Sequence, residues 1–142
     1  PRYRFIAQPH ESGTLCVVRS RLPLTLPGEE EKTFHHDESQ PFEFKSLMCL
    51  NRKRGSKLIF DPSSYDDLVE SHLERHGIID AGVYVDDAIK YPLNKGRDKF
   101  FLMGAWVTVN ANATKEQAYN LMIDGIGIKG VYGFGLVFPE TR

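Results

Sequence analysis

Apolar and polar residues alternate along several short stretches of the chain, which predicts β-strands at these places. Residues 2–8 and 15–21 are separated by Pro-His-Glu-Ser-Gly, a turn composition, and are predicted to form a β-hairpin. The further predicted strands are residues 41–50, 83–91, 100–110 and 132–138. Residues 22–40 and the polar, basic residues 93–99 have no periodicity, so both are predicted to be loops.

A helix is predicted where apolar positions change to a period of 3.6 residues, between residues 61 and 77. Ser63 with Asp66 three positions later matches a capping box at its start, and Gly77 is placed to end it. One face of this helix should be buried, with the stripe formed by Tyr65, Leu68, Val69, His72 and Leu73.

A second helix is predicted between Thr114 and Gly125, because Thr114 and Gln117 give another capping box. From residue 41 onward the order is therefore β-α-β-β-α-β. This order predicts an α+β, ferredoxin-like domain, with an antiparallel four-stranded sheet and both helices on one face. Residues 1–40 contribute a hairpin and a loop, and an isolated hairpin is only marginally stable in water.

Composition narrows the function classes. The chain has 142 residues, 41% of them hydrophobic, and 18 basic against 19 acidic side chains give a net charge of −1. This excludes a globally basic nucleic-acid binder but allows a local basic surface. The sequence predicts no membrane span and no signal peptide. With Cys16 and Cys49 as the two cysteines, no disulfide framework is expected, which favours a cytoplasmic protein.

The most specific motif is a run of five glycines around Lys129 between the second helix and the last strand. The glycines are Gly125, Gly127, Gly130, Gly133 and Gly135. Glycines let a polyanion approach the backbone amides, and Lys129 would add a charge for phosphate. The order helix-glycines-strand argues against a dinucleotide or P-loop site. A helix cap followed by a bulged edge strand explains the same spacing, and both interpretations stay open.

A second candidate is a basic segment without a single acid between residues 45 and 57. Its cations are Lys45, Arg52, Lys53, Arg54 and Lys57. Long basic side chains on a loop or hairpin tip can reach phosphates or enter an RNA groove. A solvated loop is the alternative. For the weaker cluster of Lys95, Arg97 and Lys99, that alternative is favoured.

The remaining polar residues suggest neither a metal site nor a cofactor. His35 and His36 lie beside Asp37 and Glu38, but adjacent residues on a loop are a weak metal signal. No Ser/His/Asp or Cys/His set can be assembled, so the catalytic residues are unknown. Trp106 and the pair Phe100 and Phe101 are expected in the core rather than at a base-stacking surface.

Read in order, the chain resembles the CasE family, the CRISPR-associated endoribonucleases of type I-E Cascade. GIGIKGVYGFGLV resembles the family's glycine-rich loop, and FEFKSLMCLNRKRGSK resembles the strand and basic hairpin that open its second domain. SSYDDLVESHLERHG resembles the helix that follows. The resemblance is good over residues 41–142 and looser over residues 1–40. It implies a complete C-terminal ferredoxin-like domain at 41–142, preceded by a partial one at 1–40.

The resemblance also implies a function. Members bind the repeat hairpin of CRISPR RNA, cleave it without a metal to a 2′,3′-cyclic phosphate, and remain with the other Cascade subunits. The basic hairpin and the glycine-rich loop would contact the RNA. The family's catalytic histidine, with a helping tyrosine, lies in a strand-helix unit that would precede Pro1, so no residue here is assigned that role. The alternatives are a non-catalytic RNA-binding or Cascade-interacting homologue, and a ferredoxin-like regulatory module.

Overall fold

The computed structural model describes residues 3–10, 13–20 and 34–140. Its strands are β1 (Tyr3–His10), β2 (Gly13–Ser20), β3 (Phe42–Cys49), β4 (Arg52–Arg54), β5 (Lys57–Ile59), β6 (Gly82–Val85), β7 (Ile89–Lys95), β8 (Asp98–Ala111) and β9 (Val137–Pro139). The helices are α1 (Tyr65–Glu74) and α2 (Lys115–Asp124), and short 3₁₀ turns occupy Pro62–Ser64 and Gly130–Tyr132.

The main sheet has the strand order β6-β8-β3-β9, with every neighbouring pair antiparallel. Strands β3 and β8 are central, and α1 and α2 cover one side of them. This is the predicted ferredoxin-like βαββαβ arrangement, and the fold class is confirmed. The strand predictions for residues 41–50 and 100–110 and the hairpin of β1 and β2 are also confirmed.

Alternation along the central strands decides which side chains meet the helices. Phe42, Phe44 and Met48 of β3 point to the helix face and are almost completely buried with Val107 and Val109 of β8. They pack with residues of both helices, namely Val69, Leu73, Ala118 and Leu121. The intervening residues, such as Lys45 and Leu47, point to the opposite side, which we call the open face.

The region between β6 and β8 differs from the prediction. Residues 83–91 form parts of two strands, β6 and β7, and both pair with β8 along the same edge. Residues 93–99, predicted as a loop, belong largely to the β7–β8 hairpin, whose turn is at Gly96 and Arg97. This segment is polar because it lies at exposed positions of a hairpin that extends past β3. Its polar, basic composition therefore resembled a loop, although its residues pair as strands.

The last strand is also shorter than predicted. Only Val137–Pro139 pair with β3, whereas Gly130–Tyr132 form a 3₁₀ turn. The aromatic residues before β9 pack on the open face instead of extending the sheet. Phe134 and Tyr132 join a second cluster with Cys49, Leu102 and Tyr91.

The cap at the start of α2 confirms a prediction, and the cap ahead of α1 corrects one. Thr114 and Gln117 make both bonds of the capping box at α2. The predicted box of Ser63 and Asp66 is wrong. Asp61 is the capping residue, accepting hydrogen bonds from the backbone and hydroxyl of Ser63, because Pro62 starts a 3₁₀ turn ahead of α1.

The end of α1 is closed as predicted by Gly77. Its φ of +77° lies in the left-handed region, where a side chain would be strained. The Gly77 amide donates to Glu74 and the Ile78 amide donates to Leu73, which is the pattern of a Schellman closure. The predicted stripe of α1 is buried apart from Tyr65, which is half-buried.

The β1–β2 hairpin lies against α2 and the 3₁₀ turn at Gly130–Tyr132, and Ile6 is buried there. The guanidinium of Arg19 donates to the carbonyl of Val137 in the edge strand β9. The Glu140 amide donates a hydrogen bond to the Glu43 carbonyl across the β3–β9 pair. Because successive residues of a strand direct their backbone groups to opposite sides, the Val137 carbonyl points away from β3. Arg19 therefore satisfies an edge carbonyl, and burial lowers the pKa of its guanidinium to about 10.

Residues 21–33, most of the loop predicted at 22–40, lie outside the described residues. Phe34 and His36 follow them and pack on Phe42, with ring centroids 5.8 and 5.2 Å from its ring. None of the helices within the described ranges is long and apolar enough to cross a membrane.

Candidate nucleic-acid interface

The predicted basic segment forms an antiparallel hairpin of β4 and β5, in which Arg52 faces Ile59 and Arg54 faces Lys57. Lys53, Arg54 and Lys57 are exposed, and none of their side chains has a hydrogen bond or ion pair to another described residue. Three unpaired cations thus stand on a projecting hairpin. Such an arrangement is suited to the phosphates of a nucleic acid.

Arg52 has a different role from its neighbours. Its side chain is half-buried and donates a 3.0 Å hydrogen bond to the carbonyl of Ser64, just ahead of α1. Asp61 lies close enough for the Arg52 charge to help lower the pKa of that carboxyl, after the larger effect of Ser63. Arg52 therefore fixes the hairpin to the start of α1 and is less available to a ligand than Lys53 or Arg54.

The second basic cluster lies at the same end of the sheet. Strand β3 ends where Cys49 faces Gly104, and β8 continues past this point toward the β7–β8 turn. Lys95, Arg97 and Lys99 are exposed around that turn, and Lys90 covers the Phe101 ring at 4.1 Å. Two basic hairpins therefore project from one end of the domain. Phe101, expected in the core, is 52% exposed.

A small apolar cluster connects the bases of the two hairpins. Leu50, Leu68 and Ala105 are buried in it, and Phe60, Tyr65 and Ala88 pack around them. Phe60 follows β5 and Ala88 precedes β7, so one end of each hairpin lies at this shared cluster. The side chain of Asn51 accepts a 2.8 Å hydrogen bond from the Met103 amide, which joins β8 to the segment between β3 and β4.

The glycine-rich loop is built mainly for close packing. Gly125 caps α2 through its amide, and the Gly135 amide donates a 2.7 Å bond to the carbonyl of Leu47. Gly133 and Gly135 are buried, and so is Gly125. The predicted helix cap is present, whereas the strand that follows the glycines is short. The amides of these three residues are turned into the protein and not toward an approaching polyanion.

Gly127 leaves little room for a side chain. Its φ is +83°, and a β-carbon there would lie 3.3 Å from Met48 and 3.7–3.8 Å from the imidazole of His72. The loop therefore closes over His72 on α1. Gly127 and Gly130 are partly exposed, as is Lys129, whose φ of +64° is unusual for a residue with a side chain.

Lys129 belongs to the basic end of the domain. It lies close enough to Cys49, at the end of β3, to favour the thiolate, although burial dominates and raises the pKa of the Cys49 thiol. The structure thus brings Lys129 and the two hairpins to one end of the domain. Lys45 is the exception among the predicted residues.

Lys45 is separated from this end because it points to the open face in the middle of β3. There it forms a 3.5 Å ion pair with Glu140, and both side chains are well exposed. Trp106 also lies on the open face and is half-buried, with its ring 6.0 Å from Phe138. The prediction that Trp106 is a core residue is therefore wrong. The sequence already indicated this position, because successive residues of a strand face opposite sides and Trp106 is out of step with the apolar Val107 and Val109.

The histidines form no catalytic set in the described ranges. His36 is buried and bonds the carbonyl of Ala113 at 2.9 Å. His72 is 4% exposed, and its Nε2 atom has no hydrogen-bond partner. Burial, with the nearby Arg75 and Arg52, lowers the pKa of His72 to about 4. No group of three metal-binding side chains occurs among residues 3–10, 13–20 and 34–140.

Solved structures with a similar fold were found by comparison. A CRISPR endoribonuclease Cse3 bound to a 19-nucleotide RNA aligns with a TM-score of 0.73 and 14% identity, covering 99% of this chain and 80% of that chain. Thermus thermophilus Cse3 bound to an RNA representing a pre-cleavage complex aligns with a TM-score of 0.63 and 13% identity, covering 99% of this chain and 78% of that chain.

Cas6e from Escherichia coli K-12 aligns with a TM-score of 0.64 and 12% identity, covering 99% of this chain and 84% of that chain. No protein-family model and no curated protein matches the sequence. At these identities the similarity establishes the fold alone, which agrees with the sheet order and helix placement described above.

Proposed function

We propose that this protein is cytoplasmic, belongs to the CasE family and binds the repeat hairpin of CRISPR RNA as a processing subunit of a Cascade-like complex. The observation that carries the proposal is the β4–β5 hairpin, on which Lys53, Arg54 and Lys57 are exposed without an anionic partner in the described ranges. The fold similarity to RNA-bound Cse3 supports the choice of ligand.

Binding would rest on the end of the domain from which the two hairpins project. Lysine and arginine side chains there would neutralise phosphates on the RNA stem and release counterions, which makes the affinity dependent on salt. Lys129 and the partly exposed glycines Gly127 and Gly130 would lie beside the RNA. Gly125, Gly133 and Gly135 would support the loop from within, because the described structure buries them.

The proposal assigns cleavage chemistry to none of the described histidines. His72 is enclosed beneath the glycine-rich loop and His36 is held by a backbone carbonyl. A general acid or base must come within hydrogen-bond reach of the RNA 2′-hydroxyl or leaving group. We therefore expect neither His72 nor His36 to act in cleavage of the RNA. Cleavage by this chain in the presence of a chelator would show that a catalytic group has been overlooked.

The binding test compares the chain with its Lys53→Ala, Arg54→Ala, Lys57→Ala triple variant, using fluorescence anisotropy with a short RNA stem-loop. We expect about a 30-fold loss of affinity and a salt slope smaller by about 2 to 3, since three phosphate contacts are removed. Lys115→Ala is the control, because Lys115 is exposed at the start of α2, away from the hairpins. It should leave both quantities unchanged.

Two results would contradict the proposed site or function. Stem-loop binding that is unaffected by the triple variant would remove the β4–β5 hairpin from the interface. A chain that binds no RNA at low salt would instead favour the regulatory-module alternative. Copurification with the backbone subunits of a Cascade-like complex is the expected outcome for a processing subunit.

A further inference from the structure

The open face of the sheet carries a patch that the proposed hairpin site does not use. Its members are Tyr84 on β6, Trp106 and Thr108 on β8, and Lys45 on β3, and we call this set the aromatic patch. Tyr84 and Lys45 both face Thr108, from opposite sides. Trp106 is two residues from Thr108 on the same strand, so it is a diagonal neighbour of Tyr84 and Lys45, roughly 7–8 Å away.

The Trp106 ring of this patch is supported from one side, and both rings remain at least partly accessible. Tyr84 is 66% exposed, while Trp106 is half-buried and rests on Phe138 with ring centroids 6.0 Å apart. Arg19 covers the Phe138 ring at 5.4 Å and bonds β9. Phe138 therefore supports Trp106 from a fixed position. An exposed tyrosine and a half-buried tryptophan at neighbouring positions leave aromatic surface on this face open to a ligand.

We propose that the aromatic patch binds a single-stranded RNA segment, with two bases stacked on Tyr84 and Trp106 and a phosphate at Lys45. Every base has a π-face, so two rings at neighbouring positions recognise a single strand without needing base pairs. The present partner of Lys45 is Glu140 at 3.5 Å, and both side chains are well exposed. Such a surface ion pair stabilises a protein little, so a phosphate can replace the carboxylate as the partner of Lys45.

The charges around the patch would determine the path of the RNA across the open face. Glu43 and Glu140 face each other at one border, where Asn110 bonds Glu43 at 2.7 Å. Lys45 lies beside these carboxylates, which would repel any phosphate beyond it, so the bound strand would end at Lys45. The opposite border is Leu47, which faces Trp106 and accepts the amide of Gly135 from the glycine-rich loop.

The patch is continuous with the proposed stem-binding end through this loop. Lys129 lies beyond Leu47 near Cys49, and the two hairpins follow at the same end. A single strand leaving a bound stem would pass Lys129 and reach Trp106 before the acidic border. This inference rests on the proposed function for the source of the strand, which would flank the stem of the RNA hairpin.

The test uses Trp106 as a reporter, because it is the one tryptophan in the sequence. Three probes are titrated while its fluorescence is recorded: a blunt stem-loop, the same stem-loop with a single-stranded extension, and unstructured oligouridine. We expect saturable quenching by the extended stem-loop and by oligouridine, and none by the blunt stem-loop. The extension should also tighten binding.

Variants identify the stacking residues. Tyr84→Ala should weaken oligouridine binding roughly 5- to 100-fold, as expected for a lost base stack, whereas Tyr84→Phe should keep the affinity. Tyr119→Ala is the matched control, since Tyr119 is 50% exposed on α2 and lies away from the patch. The triple variant of Lys53, Arg54 and Lys57 should weaken the blunt stem-loop far more than oligouridine.

The outcomes separate this inference from the proposed function. If the blunt stem-loop binds but the extension neither quenches Trp106 nor adds affinity, the patch inference fails and the function stands. If oligouridine quenches Trp106 while no stem-loop binds, the function fails and the patch stands. Quenching that persists in Tyr84→Ala at unchanged affinity would overturn the inference. So would a Trp106 emission shift that depends on protein concentration and excludes RNA, which would indicate a protein-covered face.

Discussion

The β4–β5 and β7–β8 hairpins carry similar charge at the same end of the domain but are supported in different ways. β4–β5 is a separate two-stranded sheet of three residues on each side, fixed to α1 by Arg52. β7–β8 continues the long central strand with seven paired residues, from Ile89 facing Gly104 to Lys95 facing Asp98. The first hairpin holds no acid, whereas the second has Asp98 at its turn.

The hairpin with the stronger positive charge is therefore not the hairpin with the firmer structural support. The hairpin with the purer positive field is held by the side-chain hydrogen bonds of Arg52 and Asn51 and by a small apolar cluster. The hairpin that is built into the main sheet has a less favourable field. We infer that β4–β5 contributes more to phosphate attraction and that β7–β8 contributes more to a fixed geometry. Each prediction below disturbs one of the two supports or one of the two fields.

The largest effect is expected at the base of β7–β8. A β-carbon on Gly104 would come within 2.7 Å of the Phe134 ring and 3.0 Å of Tyr91. Gly104→Val should therefore destabilise the domain by about 3 kcal/mol, because the rings above it must move. Urea unfolding measures this loss. Gly55→Ala, at the β4–β5 turn, meets no neighbouring atom but places a side chain at a φ of +64°, so this comparison variant should cost about 1 to 2 kcal/mol through backbone strain alone. Equal losses would contradict the difference in support.

The next largest effect is expected in the pH dependence of stability, which His72 causes beside Arg52. His72 has a pKa of about 4 in the folded protein, below its ordinary 6.5, because it is buried beside Arg75 and Arg52. Between these pH values the unfolded chain binds a proton that the folded chain does not. Stability should therefore fall as the pH drops from about 6.5 to 4, by about 2 kcal/mol from this residue.

The pH measurement compares unfolding midpoints of the unmodified chain and the His72→Leu variant. Carboxylates titrate in both proteins, so the difference between the two profiles isolates the imidazole. We expect the difference between the two unfolding midpoints to change between about pH 6.5 and 4 and to be constant above pH 7. Parallel profiles would mean that His72 is protonated equally in both states.

A smaller effect is expected for the second basic field. The Lys95→Ala, Arg97→Ala, Lys99→Ala triple variant should weaken stem-loop binding about fivefold, less than the matching change on β4–β5, because Asp98 already reduces the local potential. Anisotropy titrations at several salt concentrations test this order. A larger loss than on β4–β5 would reverse the assignment and make β7–β8 the principal phosphate contact.

The smallest effect distinguishes Arg52 from its neighbour. Arg52→Ala should lower stability by about 1 kcal/mol through the lost bond to Ser64, with little change in the salt slope of RNA binding. Lys53→Ala should do the opposite and reduce the slope by about 1 without affecting stability. Thermal unfolding and salt titrations of both variants provide the measurements. A reduced slope for Arg52→Ala would place its guanidinium on a phosphate.

Local signals in the sequence predicted most of the elements correctly. The capping box at Thr114, the stop at Gly77, the apolar run of β8 and the acid-free segment of β4–β5 depend on neighbours a few residues apart, which a sequence displays directly. The same reasoning misplaced the start of α1, since Pro62 makes Asp61 rather than Ser63 the cap. It also misread residues 93–99, where strand pairing is decided by β8 and not by composition.

By itself, the sequence determined the βαββαβ order, the buried stripes and the presence of a local positive field, because hydrophobic periodicity and charge are properties of the chain. Only the tertiary structure decided which charges act together. It moved Lys45 to the open face beside Trp106, turned Arg52 inward to Ser64, and brought the two basic hairpins to one end. These placements follow from strand register and from packing between distant segments, neither of which is encoded in local spacing.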